Sequence, residues 1–539
     1  MFQGLQAAGR ISNRAQKAEL LARLADLAID LDLDRSIVAS AIAGIAEGAG
    51  GDPGALASIA ELHARLALEA GERDVARQFL ETAIFEESRR ALPYRLPAFY
   101  LLLSEADPQK RGEHVAVAYA TLQNLRPNIP RFDPLTEESM FSIHMRGVFE
   151  AAAAMQLEAA TDDTQLLSAQ RIIEDFREAE LQSALGSECL PQRAPLQARD
   201  LGPGEALLYP LVFNDRLELI FVSGDATNAR FVRLPPNRSV NGESIAALAV
   251  RLSVELNSGV DDGWREPARE LYDLLIKPIE AGLGSGGSLV IIPDRTLRGV
   301  PFATLVAPDG DFLVEKTAIS VAPALAYSQP GVRSAAASTS IVAASLQREV
   351  NVAGLRFPAL AGTASEAEDA ANHGHPGRWL ADFTREQLAA ALAAGSVDVL
   401  HLATHASFNG RSDRAFIVAS DGIIPLAKLR EMISRNSVRD GLLDLLVLSA
   451  CETAVGDDDS SMGLAGAAIG AGSVSAVASL WPVDDVGSSE LMRQFYRNYQ
   501  SGMSRTQALR EAQVSLLRSA GDNADPFVWA AFTLVGAWR

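Results

Sequence analysis

One histidine and one cysteine have the residue types and the setting that thiol chemistry requires. His405 directly follows the apolar run VDVLHLAT (397–404), and Cys451 directly follows LDLLVLSA (443–450). Both runs are typical of buried parallel strands. Since open α/β sheets place their chemistry at the carboxyl ends of strands, the pattern predicts that these two side chains meet, although they are 46 residues apart.

A cysteine and a histidine held together are sufficient for nucleophilic catalysis. A nearby imidazole stabilises the thiolate and supplies the proton for the leaving group. Cys451 would attack a carbonyl carbon, and His405 would act first as general acid and then as base for water. The alternative is that a lone cysteine after an apolar strand is a small buried hydrophobe. His401 lies on the same alternating face of its run as His405, so the period alone does not choose between the two histidines.

Other motifs that would indicate a cofactor or a metal are not found in the sequence. The chain contains no G-x-x-x-x-G-K-[ST], no H-E-x-x-H and no G-x-S-x-G. The glycines of GLAGAAIGAGS (463–473) precede an apolar run, whereas dinucleotide binding needs them after a strand. The histidines of HGHPG (373–377) lie in a loop-like segment without further ligands. The sequence therefore predicts no cofactor and no metal.

The remaining apolar runs predict an α/β domain around these residues. GSLVIIPD (287–294), TSIVAASL (339–346) and SVSAVASLW (473–481) alternate with helical segments, which favours a largely parallel sheet. Before them, the segment 205–235 has strand patterns with an Asn-Asp turn, and predicts a β-meander. A helix is expected over about 243–281.

The N-terminal part of the chain has a different character. Residues 1 to about 160 are rich in Ala and Leu at helical spacing, as in ALASIAELHARLALEAGERDVARQFLETAIFEESRR (55–90). Helix, short turn and helix indicate hairpins of the tetratricopeptide (TPR) type. Three copies at a fixed period are not found, so a plain helical bundle is the alternative. We place the boundary between an N-terminal helical region, 1–164, and the α/β domain, 165–539.

The composition of the chain indicates which kinds of binding partner and which cellular location to expect. The 539 residues carry 48 basic and 68 acidic side chains, a net charge of −20, which disfavours direct binding of nucleic acid. No apolar run reaches 18 residues, so no membrane span is predicted. The first 20 residues lack the apolar stretch of a secretory signal. With only Cys189 and Cys451, no disulfide framework is expected, and a cytoplasmic location is predicted.

Several ordered motifs resemble the CHAT domain, a caspase-like domain that occurs beside TPRs and is similar to separase. The matching segments are PDRTLRGVPFATL (293–305), HLATHASF (401–408), LVLSACETAVGD (446–457), GAGSVSAVASLWPVDD (470–485) and ALREAQVSLL (508–517). The resemblance covers about 165–539 and implies a caspase/haemoglobinase fold with cysteine endopeptidase activity. It selects His405 and Cys451 as the catalytic dyad and leaves His401 structural. By analogy with caspases, the backbone N–H groups of Ala406 and Cys451 would stabilise the oxyanion.

The same resemblance suggests a substrate pocket. Separase cuts after arginine and has an acidic residue four positions after a tryptophan, which corresponds to Asp485 in WPVDD (481–485). A carboxylate there, from Asp485 with Asp484 beside it, would pair with a guanidinium, so cleavage after Arg or Lys is predicted. Alternatively, one of these residues caps the next helix. A second alternative is a basic pocket that contains Arg411 and Arg414 and selects aspartate before the scissile bond.

The functional hypothesis is a cysteine endopeptidase with a protein substrate, controlled by a protein regulator that binds the N-terminal helices. The resemblance further suggests a bacterial defence or cell-death system. Two alternatives stay open at this point. One is a catalytically inert caspase-like scaffold, and the other is a different thiol-dependent hydrolase or transferase.

Overall fold

The structure is a computed structural model that describes most of the chain. The described residues are 11, 13–133, 136–186, 200–224, 229–258, 262–284, 286–328, 339–352, 354–407, 415–434, 443–449, 472–481 and 485–539. The chain divides into two compact units, Met1–Ser183 and Ala184–Arg539. The predicted boundary at 164/165 falls at the start of the helix Asp163–Leu185, which packs into the first unit through Phe176 and Ala179.

The described part of the first unit is helical. Its α-helices are α1 Arg14–Asp30, α2 Arg35–Ala49, α3 Pro53–Glu69, α4 Arg73–Ser88, α5 Leu96–Ala106, α6 Arg111–Leu125, α7 Arg146–Ala159 and α8 Asp163–Leu185. The most extensive packing joins α1 to α2, α3 to α4 and α5 to α6, so consecutive helices form hairpins. These hairpins begin at Arg14, Pro53 and Leu96, which are 39 and 43 residues apart. The unequal spacing explains why the sequence shows no fixed period.

Local signals in the sequence define the ends of these helices. The Asp52 side chain accepts a hydrogen bond from the Ala55 N–H at 2.9 Å, and Pro53 occupies the first turn of α3. Both features are favoured at helix N-termini. Gly71 has a φ of +76°, which lets the chain turn sharply between α3 and α4. The predicted helix–turn–helix over 55–90 is therefore confirmed.

The second unit is built on an eleven-stranded sheet. The described strands are β1 Glu205–Phe213, β2 Arg216–Gly224, β3 Ala229–Arg233, β4 Ser288–Ile291, β5 Ala318–Val321, β6 Ile341–Ser345, β7 Val350–Val352, β8 Leu355–Phe357, β9 Gly377–Ala381, β10 Val399–Ala403, β11 Ala406–Ser407, β12 Phe416–Ala419, β13 Gly422–Pro425, β14 Leu445–Ser449, β15 Ser475–Ser479 and β16 Phe532–Gly536. The large sheet has the order β3-β2-β1-β4-β5-β16-β15-β14-β10-β6-β9.

Seven of the ten neighbouring pairs in this sheet run parallel, and the antiparallel pairs are β1–β2, β2–β3 and β15–β16. The predictions of a largely parallel sheet and of a β-meander over 205–235, which is β1 to β3, are both confirmed. Two small sheets, β11-β12-β13 and β7-β8, accompany the large one.

Helices cover both faces of the large sheet. They are α9 Gly242–Ser258, α10 Arg265–Leu275, α11 Leu313–Lys316, α12 Thr363–Asn372, α13 Arg385–Ala393, α14 Leu426–Ser434, α15 Asp485–Gln500, α16 Arg505–Leu517 and α17 Pro526–Trp529. Val447 of β14 belongs to the core with α12 and α15, whereas its neighbour Leu448 belongs to the core with α13 and α14. The single helix expected over about 243–281 is wrong, because α9 and α10 are separate and the poor helix formers Asp262 and Gly263 lie between them.

Candidate functional site

The strands that precede the two predicted catalytic residues lie side by side. β10 and β14 pair in parallel, and Ala403 at the end of β10 is opposite Ser449 at the end of β14. His405 comes two residues after Ala403, and Cys451 comes two residues after Ser449. Cys451 itself lies outside the described residues. The prediction that the two strands end side by side is nevertheless confirmed. The dyad hypothesis requires this strand pairing.

His405 is held in one orientation by a backbone carbonyl. Its Nε2 lies 2.8 Å from the carbonyl oxygen of Pro358, and its ring centroid lies 5.4 Å from that of Phe357. A carbonyl oxygen only accepts hydrogen bonds, so Nε2 carries the hydrogen, and Nδ1 of a neutral ring is the nitrogen with a free lone pair. Among the described residues, Nδ1 has no hydrogen-bond partner. The imidazole is 8% exposed, so it is largely shielded from water.

Ala406 begins the short strand β11 directly after the histidine. The Val418 N–H donates to the His405 carbonyl at 2.9 Å, and Ala406 is registered opposite Ile417. In an antiparallel ladder this pattern makes Ala406 and Ile417 a pair without mutual hydrogen bonds, so the Ala406 N–H points away from β12. Among the described residues, the non-glycine positions with positive φ are Asp32, Glu137 and Asp382, so the backbone at Ala406 does not require glycine.

Of the residues predicted to line a substrate pocket, the structure describes only the backbone of Asp485. Asp485 is the first residue of α15, and its side chain lies outside what the structure describes. Asp484, Arg411 and Arg414 also lie outside the described residues, as does Cys189. Asp485 therefore has the position of a helix-starting residue, where a negative charge is favourable, and its role in a pocket stays a prediction.

His401 lies in a buried polar cluster on the core side of β10 that faces α12 and α15. Its Nδ1 is 2.9 Å from the Tyr496 hydroxyl, and its Nε2 is 3.2 Å from Oε1 of Glu366. The Ser449 hydroxyl donates to Oε2 of the same carboxylate at 3.0 Å. Burial, and then the Glu366 charge, raises the pKa of Tyr496 well above its ordinary value, so its hydroxyl keeps its proton. His401 thus contacts residues different from those around His405.

Sequence reasoning missed Pro358 and Glu366. A backbone carbonyl has no signature in a sequence, so no pattern could have indicated Pro358. Glu366 did have a signal, because it lies on the apolar face of α12 with Thr363, Ala367 and Ala370. A charged residue on such a face is unusual and indicates a buried partner.

Neither a metal-binding cluster nor a membrane-spanning helix is found within the described ranges. No group of three or more His, Cys, Asp or Glu side chains that could hold a metal ion is found there. In the same part of the chain, none of the helices is long and apolar enough to cross a membrane.

A family model described as "CHAT domain" matches residues 265–537, which is just over half of the chain. The chain belongs to the CHAT-domain family. This match includes β10, β14, β15 and the strand ends described above. CHAT domains are caspase-like and form a protease family, so the resemblance drawn from the motifs is confirmed at the level of family and fold.

Individual relatives agree with a CHAT domain preceded by helices. Mouse tetratricopeptide repeat protein 28 is 26% identical over 330 residues, covering 51% of this chain and 13% of that protein. A crystal structure of the separase–securin complex from Saccharomyces cerevisiae superposes with a TM-score of 0.51 at 9% identity, covering 99% of this chain and 48% of the matched one. The identity is low, so this likeness shows the fold alone. The chain spans less than half of either relative's length.

Proposed function

We propose that this CHAT protein is a cysteine endopeptidase in which Cys451 is the nucleophile and His405 the general acid and base. The observation that carries the proposal is the placement of His405. Its ring is held through Nε2 by the Pro358 carbonyl, and Nδ1 has no hydrogen-bond partner within the described part of the chain. The residue lies two positions beyond a strand that pairs with the strand leading to Cys451. This is the arrangement that a thiol needs to find an oriented base.

The proposed reaction uses Nδ1 of His405. Protonated at Nδ1, the imidazolium stabilises the Cys451 thiolate, which attacks the scissile carbonyl carbon. The ring then delivers that proton to the leaving amine and afterwards accepts one from the water that hydrolyses the thioester. The N–H of Ala406, directed away from β12, supports its proposed role as an oxyanion donor, with the Cys451 N–H as the second donor.

We further propose cleavage after Arg or Lys, with Asp485 in the pocket and Asp484 beside it. β15 pairs directly with β14, and the chain continues from β15 through Trp481 to Asp485. This connection brings the start of α15 towards the sheet edge at which β14 ends. A carboxylate there would bind a guanidinium through charge-assisted hydrogen bonds.

The helical unit is proposed to bind a protein that controls the peptidase. The helix hairpins support this role, because arrays of this type commonly bind extended partners. On α4, Val75 and Phe85 are exposed to 40% and 62%, which leaves apolar surface for a partner. Yeast separase was crystallised in complex with the protein securin, a precedent for a protein partner. A setting in bacterial defence or cell death rests on the resemblance alone. A cytoplasmic location is proposed from the low cysteine count.

The experiment is a comparison of single variants of the full chain on a diverse peptide library. Cys451→Ala and His405→Gln should reduce cleavage to background while the circular dichroism spectrum is unchanged. Both substitutions remove a reacting atom and change little volume. The matched controls are Cys189→Ser, which removes the only other thiol, and His375→Gln, which changes an exposed loop histidine.

A thiol-reactive peptide probe separates the peptidase from the inert caspase-like scaffold. Labelling of Cys451 that requires His405 supports the peptidase. A wild-type chain that neither cleaves any peptide nor reacts with the probe at Cys451 would instead support an inert scaffold. Full cleavage activity in either dyad variant would refute the assignment of roles.

A further inference from the structure

A buried carboxylate connects the two strands that carry the candidate dyad. Glu366 of α12 is 3% exposed. Its Oε2 accepts a hydrogen bond from Ser449 at the end of β14, and its Oε1 lies 3.2 Å from Nε2 of His401 in β10. The Glu366 carboxylate therefore touches the second residue before Cys451 and the fourth before His405.

Four polar groups from four elements meet in this cluster. Tyr496 keeps its hydroxyl hydrogen, and its oxygen is 2.9 Å from Nδ1 of His401. Nε2 of His401 lies 3.2 Å from Oε1 of Glu366, although neither atom has an aligned hydrogen bond within the described residues. One carboxylate, one imidazole and two hydroxyls therefore lie together where α12, β10, β14 and α15 meet.

Stability alone does not explain why such a group is buried here. Desolvating a carboxylate costs several kcal/mol, and replacing a buried ion pair by hydrophobic residues of similar volume is often neutral or stabilising. What hydrophobic contacts do not provide is a polar link between defined residues of two strands. The cluster provides it between Ser449 at the end of β14 and His401, which is registered opposite Val447, two residues before the end of β10.

We infer that Glu366 and His401 are positioning residues for the dyad: they hold the ends of β10 and β14 so that His405 and Cys451 face each other correctly. This inference rests on the proposed function. Misplacing reacting groups by about 1 Å can reduce turnover about a hundredfold, so a small shift of either strand end has a measurable consequence.

The test uses the full chain with Cys189→Ser, so that Cys451 is the single thiol. Glu366→Gln removes the charge and retains the shape. The double variant Glu366→Leu with His401→Phe replaces both groups by hydrophobic ones and should keep the unfolding midpoint close to wild type. For both variants we expect kcat to fall at least about tenfold with KM within about twofold. The matched control is Glu266→Gln, which breaks an exposed ion pair with Arg251 in the same unit and should leave kcat unchanged.

Two measurements test the inference separately from the proposed function. If wild type cleaves peptides, kcat is the deciding measurement. Variants that fold and have the kcat of wild type, or whose kcat falls only in proportion to the unfolded fraction, overturn the inference. If wild type cleaves no peptide, the proposed function fails, and the second-order rate of Cys451 alkylation by iodoacetamide decides. A change of at least about threefold in folded variants then supports a positioning role, and equal rates refute it.

Discussion

At the scale of single residues, the orientation of His405 depends on an atom that side-chain substitution does not remove. The Pro358 carbonyl accepts from Nε2, and no carboxylate is in contact with the ring among the described residues. A carbonyl orients an imidazole without adding a full negative charge beside it. The proposed base is therefore oriented by the backbone of the loop that follows β8, and it depends on the conformation of that loop.

Asp485 is the residue on which the proposed specificity depends. In the full chain, Asp485→Ala should lower kcat/KM for peptides with arginine before the scissile bond by at least about thirtyfold, since losing one partner of a desolvated charge pair costs 2–5 kcal/mol. Peptides with an uncharged residue at that position should be affected much less. The measurement is a cleavage profile across a peptide set that varies only this position.

Asp484→Ala is the comparison that assigns the role to one of the two neighbouring acids. If Asp485 only stabilises the first turn of α15, its variant lowers the unfolding midpoint and leaves the preference for arginine intact. A wild-type profile dominated by aspartate would point to Arg411 and Arg414 and contradict the assignment of an acidic pocket.

At the scale of elements, one arginine joins three helices of the first unit. The Arg95 guanidinium donates to Ser58 at 2.7 Å and to Glu61, both in α3, and its backbone N–H donates to Glu87 of α4. Arg95 itself precedes α5 and lies over the Phe99 ring at 4.8 Å. This side chain therefore links the α3–α4 hairpin to the hairpin that follows it.

Arg95→Ala should destabilise the helical unit by about 3–5 kcal/mol, because it leaves the largely buried Glu61 carboxylate without its ion-pair partner. Urea unfolding followed by circular dichroism at 222 nm measures the change. The control is Arg77→Ala, which removes an exposed pair with Asp74 and should cost less than about 1 kcal/mol. Equal effects of the two substitutions would show that the buried network contributes no more than a surface ion pair.

At the scale of the whole molecule, each of the two units has hydrophobic core clusters of its own, and we expect the units to unfold in separate transitions. All five tryptophans lie at position 264 or later, so tryptophan fluorescence reports on the second unit alone. Circular dichroism at 222 nm reports strongly on the helices of the first unit as well. In a urea titration of the full chain, we expect the two signals to give midpoints that differ, and Arg95→Ala should move only the dichroism transition.

Coincident transitions for wild type, or a fluorescence midpoint that moves with Arg95→Ala, would mean that the two units unfold as one cooperative system. The proposal of a separate regulatory unit would then lose its thermodynamic basis, although the assignment of the CHAT domain would be unaffected.

The sequence by itself determined the class of the fold and the two strands that matter. Apolar runs before His405 and Cys451 predicted β10 and β14 to within two residues, because a strand buried on both faces needs a continuous apolar segment. The motifs then identified the family. The helix expected over about 243–281 failed because apolar spacing continues across the break between α9 and α10.

Only the tertiary structure decided which strands are neighbours and what each histidine contacts. His401 and His405 share a face by period two, yet one meets Glu366 and Tyr496 and the other meets the Pro358 carbonyl. The chain leaves β10 at Ala403, so the alternation that relates the two positions ends before His405. The partners come from α12, α15 and the loop after β8, between 35 and 95 residues away along the chain. A periodic pattern describes one element at a time, and contacts over such separations depend on how all the elements pack.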